Sequence, residues 1–380
     1  ILLIAVDDLR AELGHIENST IITPNLDKLA SEGVSFTNHF VQVPTCGASR
    51  AAFLTGKRPR RTAELGNNIM ADEWAIRPES ATPETFIHHL RRNGYYTVGM
   101  GKISHSADGY VYGYEEEVSD QRELPYSWDE MLFNHGKWGT GWNAFFAYSD
   151  GENRQSMNKE VKPYEEGDVD DLGYPDGLTT QLAIKKLREL KTRDQPFFLG
   201  VGLFKPHLPF TAPQKYWDLY DEHQIPLAKN PEKPQNVADA SLQESGEFNQ
   251  YELGEEKAGL DQQLSDVYAR KIKHAYYAAT SYSDAQIGLI LAELKALELD
   301  QNTIVIVWGD HGWHLGEQQV WGKHTLFENA LNSALIFKIP GSTTNKIENS
   351  IVESVDIYPT LMELIGVENP GNLDGESIAS

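Results

Sequence analysis

The chain has one cysteine in 380 residues, Cys46, so no internal disulfide can staple it. No apolar run approaches the roughly 20 residues that a membrane-spanning helix needs, so no membrane span is expected in the visible chain. Basic residues are scarce: 33 Lys and Arg stand against 56 Asp and Glu, a net charge of −23. That balance argues against a nucleic-acid partner, whose phosphates demand a basic surface. There is no internal repeat and no low-complexity tract. No initiator Met or targeting segment precedes the apolar run Ile1–Val6, so any signal peptide is taken as already removed. A near absence of cysteine also excludes a disulfide-built extracellular module, but it is compatible with a bacterial periplasmic or secreted protein.

What is present is an alternation of apolar runs and helical patterns. Ile1–Val6, Val34–Phe40, Tyr96–Met100, Pro196–Gly202, Thr303–Trp308 and Ala334–Ile339 read as strands. Thr23–Gly33 reads as a helix, with Thr as cap, Pro in the first turn and Gly as stop. Thr82-Pro83-Glu84 opens a second capped helix ending near Gly94. Thr179–Leu190, a long stretch from Leu264 to Leu297 that is either continuous or interrupted, and Ile357–Ile365 complete the set. Strands separated by helices predict an α/β fold: a large mixed, mostly parallel sheet sandwiched by helices. Two polar or aromatic stretches, about 106–178 and 211–260, break the rhythm. Both are expected to be insertions on one catalytic domain that build the rim of its site.

Several short motifs carry chemistry. The first strand runs into Asp7-Asp8, and Thr303–Trp308 runs into Gly309-Asp310-His311-Gly312. Adjacent carboxylates repel unless a cation lies between them, and strand carboxyl ends are where α/β sheets bind ligands. Either these are hydrated loop residues, or both endings converge on one hard cation, Ca²⁺ or Mg²⁺. Cys46 precedes Gly47-Ala48-Ser49-Arg50 and the helical run Ala51-Ala52-Phe53-Leu54. It is either a passive core thiol or a chemical group at a helix N-terminus, a place that favours anions. Lys102 and His105 follow a strand, His207 stands between Pro206 and Pro209 on what reads as a rigid extended segment, and Lys323 lies in a polar loop. Each is open to a loop or surface reading. The basic run Lys57-Arg58-Pro59-Arg60-Arg61 is either solvated or one wall of an anion pocket. The rings Tyr126, Trp128, Trp138, Trp142, Phe145 and Phe146 either stack on sugars or pack their own insertion.

In this order, Asp7-Asp8, Thr23-Pro24-Asn25-Leu26-Asp27, Cys46-x-Ala48-Ser49-Arg50 with Thr55-Gly56-x-x-Pro59, Gly101-Lys102-x-x-His105, Lys205-Pro206-His207-x-Pro209-Phe210, Asp310-His311-Gly312, Trp321-Gly322-Lys323-His324 and Val355–Leu361 resemble the type I formylglycine-dependent sulfatases of the alkaline phosphatase superfamily. The Asp-His pair and the Lys-Pro-His-x-Pro-Phe motif are most similar to the iduronate-2-sulfatase-like branch. The resemblance spans nearly the whole chain. It implies Ca²⁺, with Mg²⁺ second, held by Asp7, Asp8, Asp310 and His311 together with the modified Cys46. It implies oxidation of Cys46 to 3-oxoalanine (formylglycine) by a formylglycine-generating maturation enzyme. Arg50 and Lys102 would orient the formylglycine, His105 would hydrogen-bond its hydroxyl, and Lys102, Lys323 and His207 would contact sulfate. It also implies a smaller C-terminal subdomain, missing beyond Ser380.

The chemistry is coherent with that resemblance. Fixed cations would neutralise charge developing on the bridging oxygen, and an imidazole such as His207 could protonate the leaving alcohol. A hydrated aldehyde has a second hydroxyl, so sulfate can be expelled without attack by water on sulfur. The expected activity is hydrolysis of sulfate esters on a sulfated carbohydrate, a polysaccharide or glycosaminoglycan-type oligosaccharide. The alternatives are a phosphoesterase of the same superfamily, or a silent sulfated-glycan-binding protein with Cys46 unconverted. Ala48, where Pro is commonest in that signature, bears on how well a maturation enzyme would act.

Overall fold

In the computed structural model, which describes residues 1–16, 19–342 and 346–379, the chain folds around an eight-stranded sheet. Among the described residues twelve strands occur: β1 Leu2–Val6, β2 Val34–Phe40, β3 Tyr96–Gly101, β4 Glu130–Leu132, β5 Tyr164–Gly167, β6 Phe197–Leu203, β7 Phe210–Pro213, β8 Val305–Gly309, β9 His314–Leu315, β10 Trp321–Gly322, β11 Leu335–Lys338 and β12 Lys346–Glu353. The sheet order is β12-β2-β11-β8-β1-β6-β3-β4, and only β11 runs against its neighbours. The remaining strands form two small two-stranded sheets, β10-β9 and β5-β7. The sheet is thus mixed and mostly parallel, as the alternation of strands and helices predicts. Strand β12 is absent from the sequence reading because Lys346–Glu353 is polar and largely exposed at the sheet edge.

Apolar side chains cover both faces. Leu3, Ala5, Ile306 and Trp308 pack one face against Phe53, Leu54 and Leu361. Leu2, Ile4, Val6, Leu199 and Val201 pack the other face against Leu187, Ile287 and Ile290. Both faces of β1 are therefore buried, which is why its five residues read as an unbroken apolar run. The helix Asp266–Ala296 is continuous over 31 residues, with the Ser265 side chain accepting from Tyr268 N. No helix among the described residues is long and apolar enough to cross a membrane.

Two caps differ from expectation. Thr85, not Thr82, caps the helix Phe86–Arg92 by accepting from His88 N. Thr23 precedes the helix Pro24–Ser31 but makes no capping bond; its hydroxyl donates to Asp27 instead. The free N–H groups of Asn25 and Leu26 donate to the Asp284 carboxylate, on the long helix. The two stretches expected as insertions each pack locally. Residues of 106–178 form a small aromatic core of Trp138, Trp142, Phe145 and Phe146, and 211–260 pack on the first half of the long helix. Ser380, the expected junction to a further subdomain, lies outside the described residues.

Candidate active site

Register alone brings the motifs together. Strands β8, β1, β6 and β3 are adjacent and parallel, with Val6 beside Gly309 and Leu203, and Gly101 beside Gly202. Their carboxyl ends therefore release Asp310-His311, Asp7-Asp8, the loop to His207, and Lys102 at one edge. In a strand, successive side chains point to opposite faces. Asp8 escapes that rule by taking a left-handed φ of 59°, so both carboxylates turn into the site. Gly101 has φ 64°, and a Cβ there would meet Gly202 O at 2.1 Å, so the chain can approach β6 and turn Lys102 inward only as glycine.

The helix Cys46–Thr55 points its first residue at this edge. Gly47 lies against Asn67, where a Cβ would come within 2.2 Å of Asn67 O, and Gly47 N donates to Asn67 Oδ1 at 2.9 Å. Arg50, one turn on from Cys46, is fully buried. Its Nε and Nη2 both reach Asp310 Oδ2 at 2.9 Å, and its Nη1 donates to Lys102 O.

Ligand atoms of Asp7, Cys46, Asp310 and His311 all lie within 4.8 Å of one another. Asp8 belongs to an adjoining group with Cys46 and His207. The Asp8 carboxylate is held by Lys323 Nζ at 2.9 Å and His311 Nδ1 at 3.1 Å. Lys102 Nζ donates to Asp7 Oδ2, while Asp7 Oδ1 is buried with no hydrogen-bond partner. Three carboxylates thus face three fixed cations, Arg50, Lys102 and Lys323. An orphaned carboxylate oxygen among oxygen and imidazole donors fits a hard divalent cation.

Electrostatics follow from that crowding. Burial would raise Asp7, but Lys102, His207, Arg50 and Lys323 outweigh it and hold it well below the usual carboxylate range. Burial wins at Asp8, against Lys323 and His311, and pushes it well up. Burial and the Asp7 charge push the Cys46 thiol up to about 12, so at neutral pH the residue is a thiol and not a thiolate. An unmodified Cys46 is therefore a poor nucleophile.

His207 is buried, with Nδ1 2.6 Å from Leu208 O and Nε2 2.9 Å from Glu247 Oε1. Both ring nitrogens face acceptors, yet burial and Lys323 press its pKa down to about 4. The uncharged imidazole dominates at neutral pH in the free protein. The segment is not extended, as the two prolines suggest. Lys205-Pro206 and Leu208-Pro209 are both cis, and Lys205 Nζ closes the turn on His207 O and Pro209 O at 2.9 and 2.7 Å. His105 lines the same cavity and packs on Trp142 at 5.4 Å, but makes no hydrogen bond to Cys46. Burial, then Lys102, keep it uncharged.

A cavity of about 340 Å³ opens on Cys46, Lys102, His207 and Lys323. Trp142, Phe145 and Phe146 line it, whereas Trp128 packs in the main core and the Tyr126 hydroxyl bonds Arg77 O. The basic run is not a wall of this cavity. It follows the far end of the Cys46–Thr55 helix, where Arg58, Arg60 and Arg61 pair with Glu353, Asp374, Glu64 and Glu73.

Sequence reasoning missed Glu247, Arg154 and Asn67, which also line the cavity. Glu247 binds His207 and also Lys323 Nζ, at 3.3 Å. All three sit in irregular segments without periodicity, so no sequence signal marks them.

The chain matches the family model described as Sulfatase over residues 1–367. It is 32% identical over 398 residues to iduronate 2-sulfatase of Homo sapiens, covering 97% of this chain and 69% of that protein. A sulfatase of Formosa agariphila is 32% identical over 404 residues, covering 100% and 71%. A solved phosphonate monoester hydrolase from Silicibacter pomeroyi superposes with a TM-score of 0.73 at 23% identity, covering 100% of this chain and 75% of that one, and shares the fold.

Proposed function

The chain belongs to the sulfatase family and is a sulfuric ester hydrolase, and on that premise we propose that it desulfates a carbohydrate with position 46 as nucleophile. The observation that carries this reading is the meeting of Asp7, Cys46, Asp310 and His311 within 4.8 Å beneath two buried lysines. Asp7, Asp8, Asp310 and His311 would hold Ca²⁺, whose charge would offset the carboxylates and polarise a sulfate oxygen. Oxidised to formylglycine by a maturation enzyme, position 46 would supply the hydrated aldehyde that attacks sulfur.

The chain's own residues do the rest. Arg50 fixes Asp310 and the start of the Lys102 loop, so the carboxylate geometry is set before substrate arrives. Lys102 and Lys323 carry charge throughout the accessible pH range, because burial, which lowers both, is outweighed by Asp7 and Asp8. They move from carboxylate to sulfate oxygens as the anion enters. His207 gains a proton as the sulfate charge counters Lys323, and gives it to the leaving alcohol oxygen. In the free protein Glu247 Oε1 holds Nε2 at 2.9 Å, and the leaving oxygen must displace it to take the proton. Trp142, Phe145 and Phe146 exclude water and offer faces to a sugar ring.

A carbohydrate is favoured by this aromatic wall and by the human relative, whose name states a sulfated iduronate. The test is release of inorganic sulfate from defined sulfated saccharides, with matched phosphate monoesters as the competing class. Faster turnover of the phosphate esters would overturn the reading.

A further inference from the structure

Arg154 is a buried cation that the mechanism above does not use. It is 4% exposed and lies in the first insertion, on the wall of the Cys46 cavity. Its guanidinium stacks over Phe146, 3.6 Å from the ring centroid, and stands 5.6 Å from the Tyr251 ring. Its Nε donates to the Gln155 side chain at 3.1 Å. Among the described residues no carboxylate forms an ion pair with it, although the protein carries 56 acidic side chains against 33 basic ones. Every other arginine and lysine that lines this cavity is neutralised: Lys102 by Asp7, and Lys323 by Asp8 and Glu247.

Burying a guanidinium without a counter-ion is costly, and stacking on one aromatic face offsets only part of that cost. A buried cation left without a carboxylate partner, on the wall of the cavity that takes an anionic substrate, has the makings of a receptor for a second anion. The Phe146 ring that carries the guanidinium lies 6.5 Å from the His207 imidazole. Two steps, of 3.6 and 6.5 Å, therefore separate Arg154 from the group that faces the leaving oxygen. One sugar residue, or its immediate neighbour, can span that distance. The planar fork suits the two oxygens of a carboxylate or the face of a sulfate.

We propose that Arg154 is a specificity subsite for a second anionic substituent, so that the substrate is a saccharide bearing another sulfate or a uronate carboxylate beside the sulfate that is cleaved. This rests on the sulfatase reading above, and it narrows the substrate class from sulfated carbohydrate to polyanionic saccharide.

The test compares three substrates that share the scissile sulfate: a neutral sugar with that sulfate alone, the same sugar with a second sulfate, and a sulfated uronate. Wild-type enzyme should show a KM about tenfold or more lower on one or both doubly charged substrates, the size expected of one charged hydrogen-bonded contact. Which of the two leads tells sulfate from carboxylate. In Arg154→Gln the loss in kcat/KM on the preferred substrate should exceed the loss on the singly charged one by about tenfold, and Arg154→Lys should fall between. Equal losses on all three substrates, with an unchanged melting curve, would mean a merely structural arginine. If Arg154→Gln does not fold, the wild-type ratio and Arg154→Lys decide: no preference for the second charge in wild type overturns the subsite. Failure of wild type on all three, with position 46 converted, would instead strike the sulfatase reading.

Discussion

His311 Nε2 lies 3.2 Å from Cys46 Sγ, although 265 residues separate them in sequence. The contact joins the end of β8 to the first residue of the helix Cys46–Thr55, and it exists because β8 is in register with β1 at the sheet's carboxyl edge. It ties the proposed nucleophile to the proposed cation. Chelation should abolish sulfate release, and added Ca²⁺ should restore it. In Asp310→Asn the restoration should fail at the Ca²⁺ concentration that rescues wild type. Full activity in excess chelator would remove the cation from the account.

Arg50 has a structural burden as well as a chemical one. It is fully buried and paired with Asp310, Nε donating to Oδ2, and removing one partner of such a pair leaves an uncompensated charge. Arg50→Ala should cost about 3–5 kcal/mol in denaturant unfolding. Cys46→Ala, by contrast, should still unfold cooperatively near the wild-type midpoint while losing sulfate release by several orders of magnitude.

Much of this site is legible in sequence because it sits where regular structure ends. An apolar strand followed at once by Asp7-Asp8, or by Asp310-His311, needs only the rule that ligands bind at strand carboxyl ends. Arg154 and Glu247 obey no such rule: they reach the cavity through insertions whose path depends on tertiary packing. The same limit explains the cap of the Pro24–Ser31 helix, since Thr23 has the right chemistry but Asp284, far along the chain, makes the bonds. It explains the basic run too. Composition leaves it open between a solvated loop and an anion wall, and acids from distant segments settle it by neutralising the run away from Cys46.

Acid stability offers a check away from the site. Burial would raise Glu317, but Arg10, with the Leu315 N–H, holds it at about 2 against an ordinary 4.5. A depressed carboxylate stabilises the fold above its unfolded pKa and loses that contribution as pH falls through its folded one. Glu317→Gln should therefore cost about 3 kcal/mol at pH 7. The gap between variant and wild type should close as pH drops from 4.5 toward 2. A gap independent of pH would show that the Arg10 contact is not electrostatic.

The net charge of −23 sets a further expectation. Salt screens long-range repulsion of an anionic saccharide over about 10 Å at 0.1 M, but barely touches buried contacts. Moderate salt should raise kcat/KM on a sulfated oligosaccharide. Lys323→Ala should raise KM about tenfold or more at every salt concentration, as loss of a buried charged contact requires. A rate that falls steadily with salt, or an unchanged KM in Lys323→Ala, would place the positive well elsewhere.

The central claim is that position 46 acts only after its thiol has been converted, since burial leaves an unmodified Cys46 protonated at neutral pH. The most direct test is a series of preparations made with graded amounts of a formylglycine-generating enzyme. In each, labelling of the aldehyde with a hydroxylamine gives the converted fraction, and sulfate release is measured at saturating Ca²⁺. The account predicts a rate proportional to the converted fraction, passing through the origin. A fully unconverted preparation that releases sulfate as fast as a converted one would contradict it.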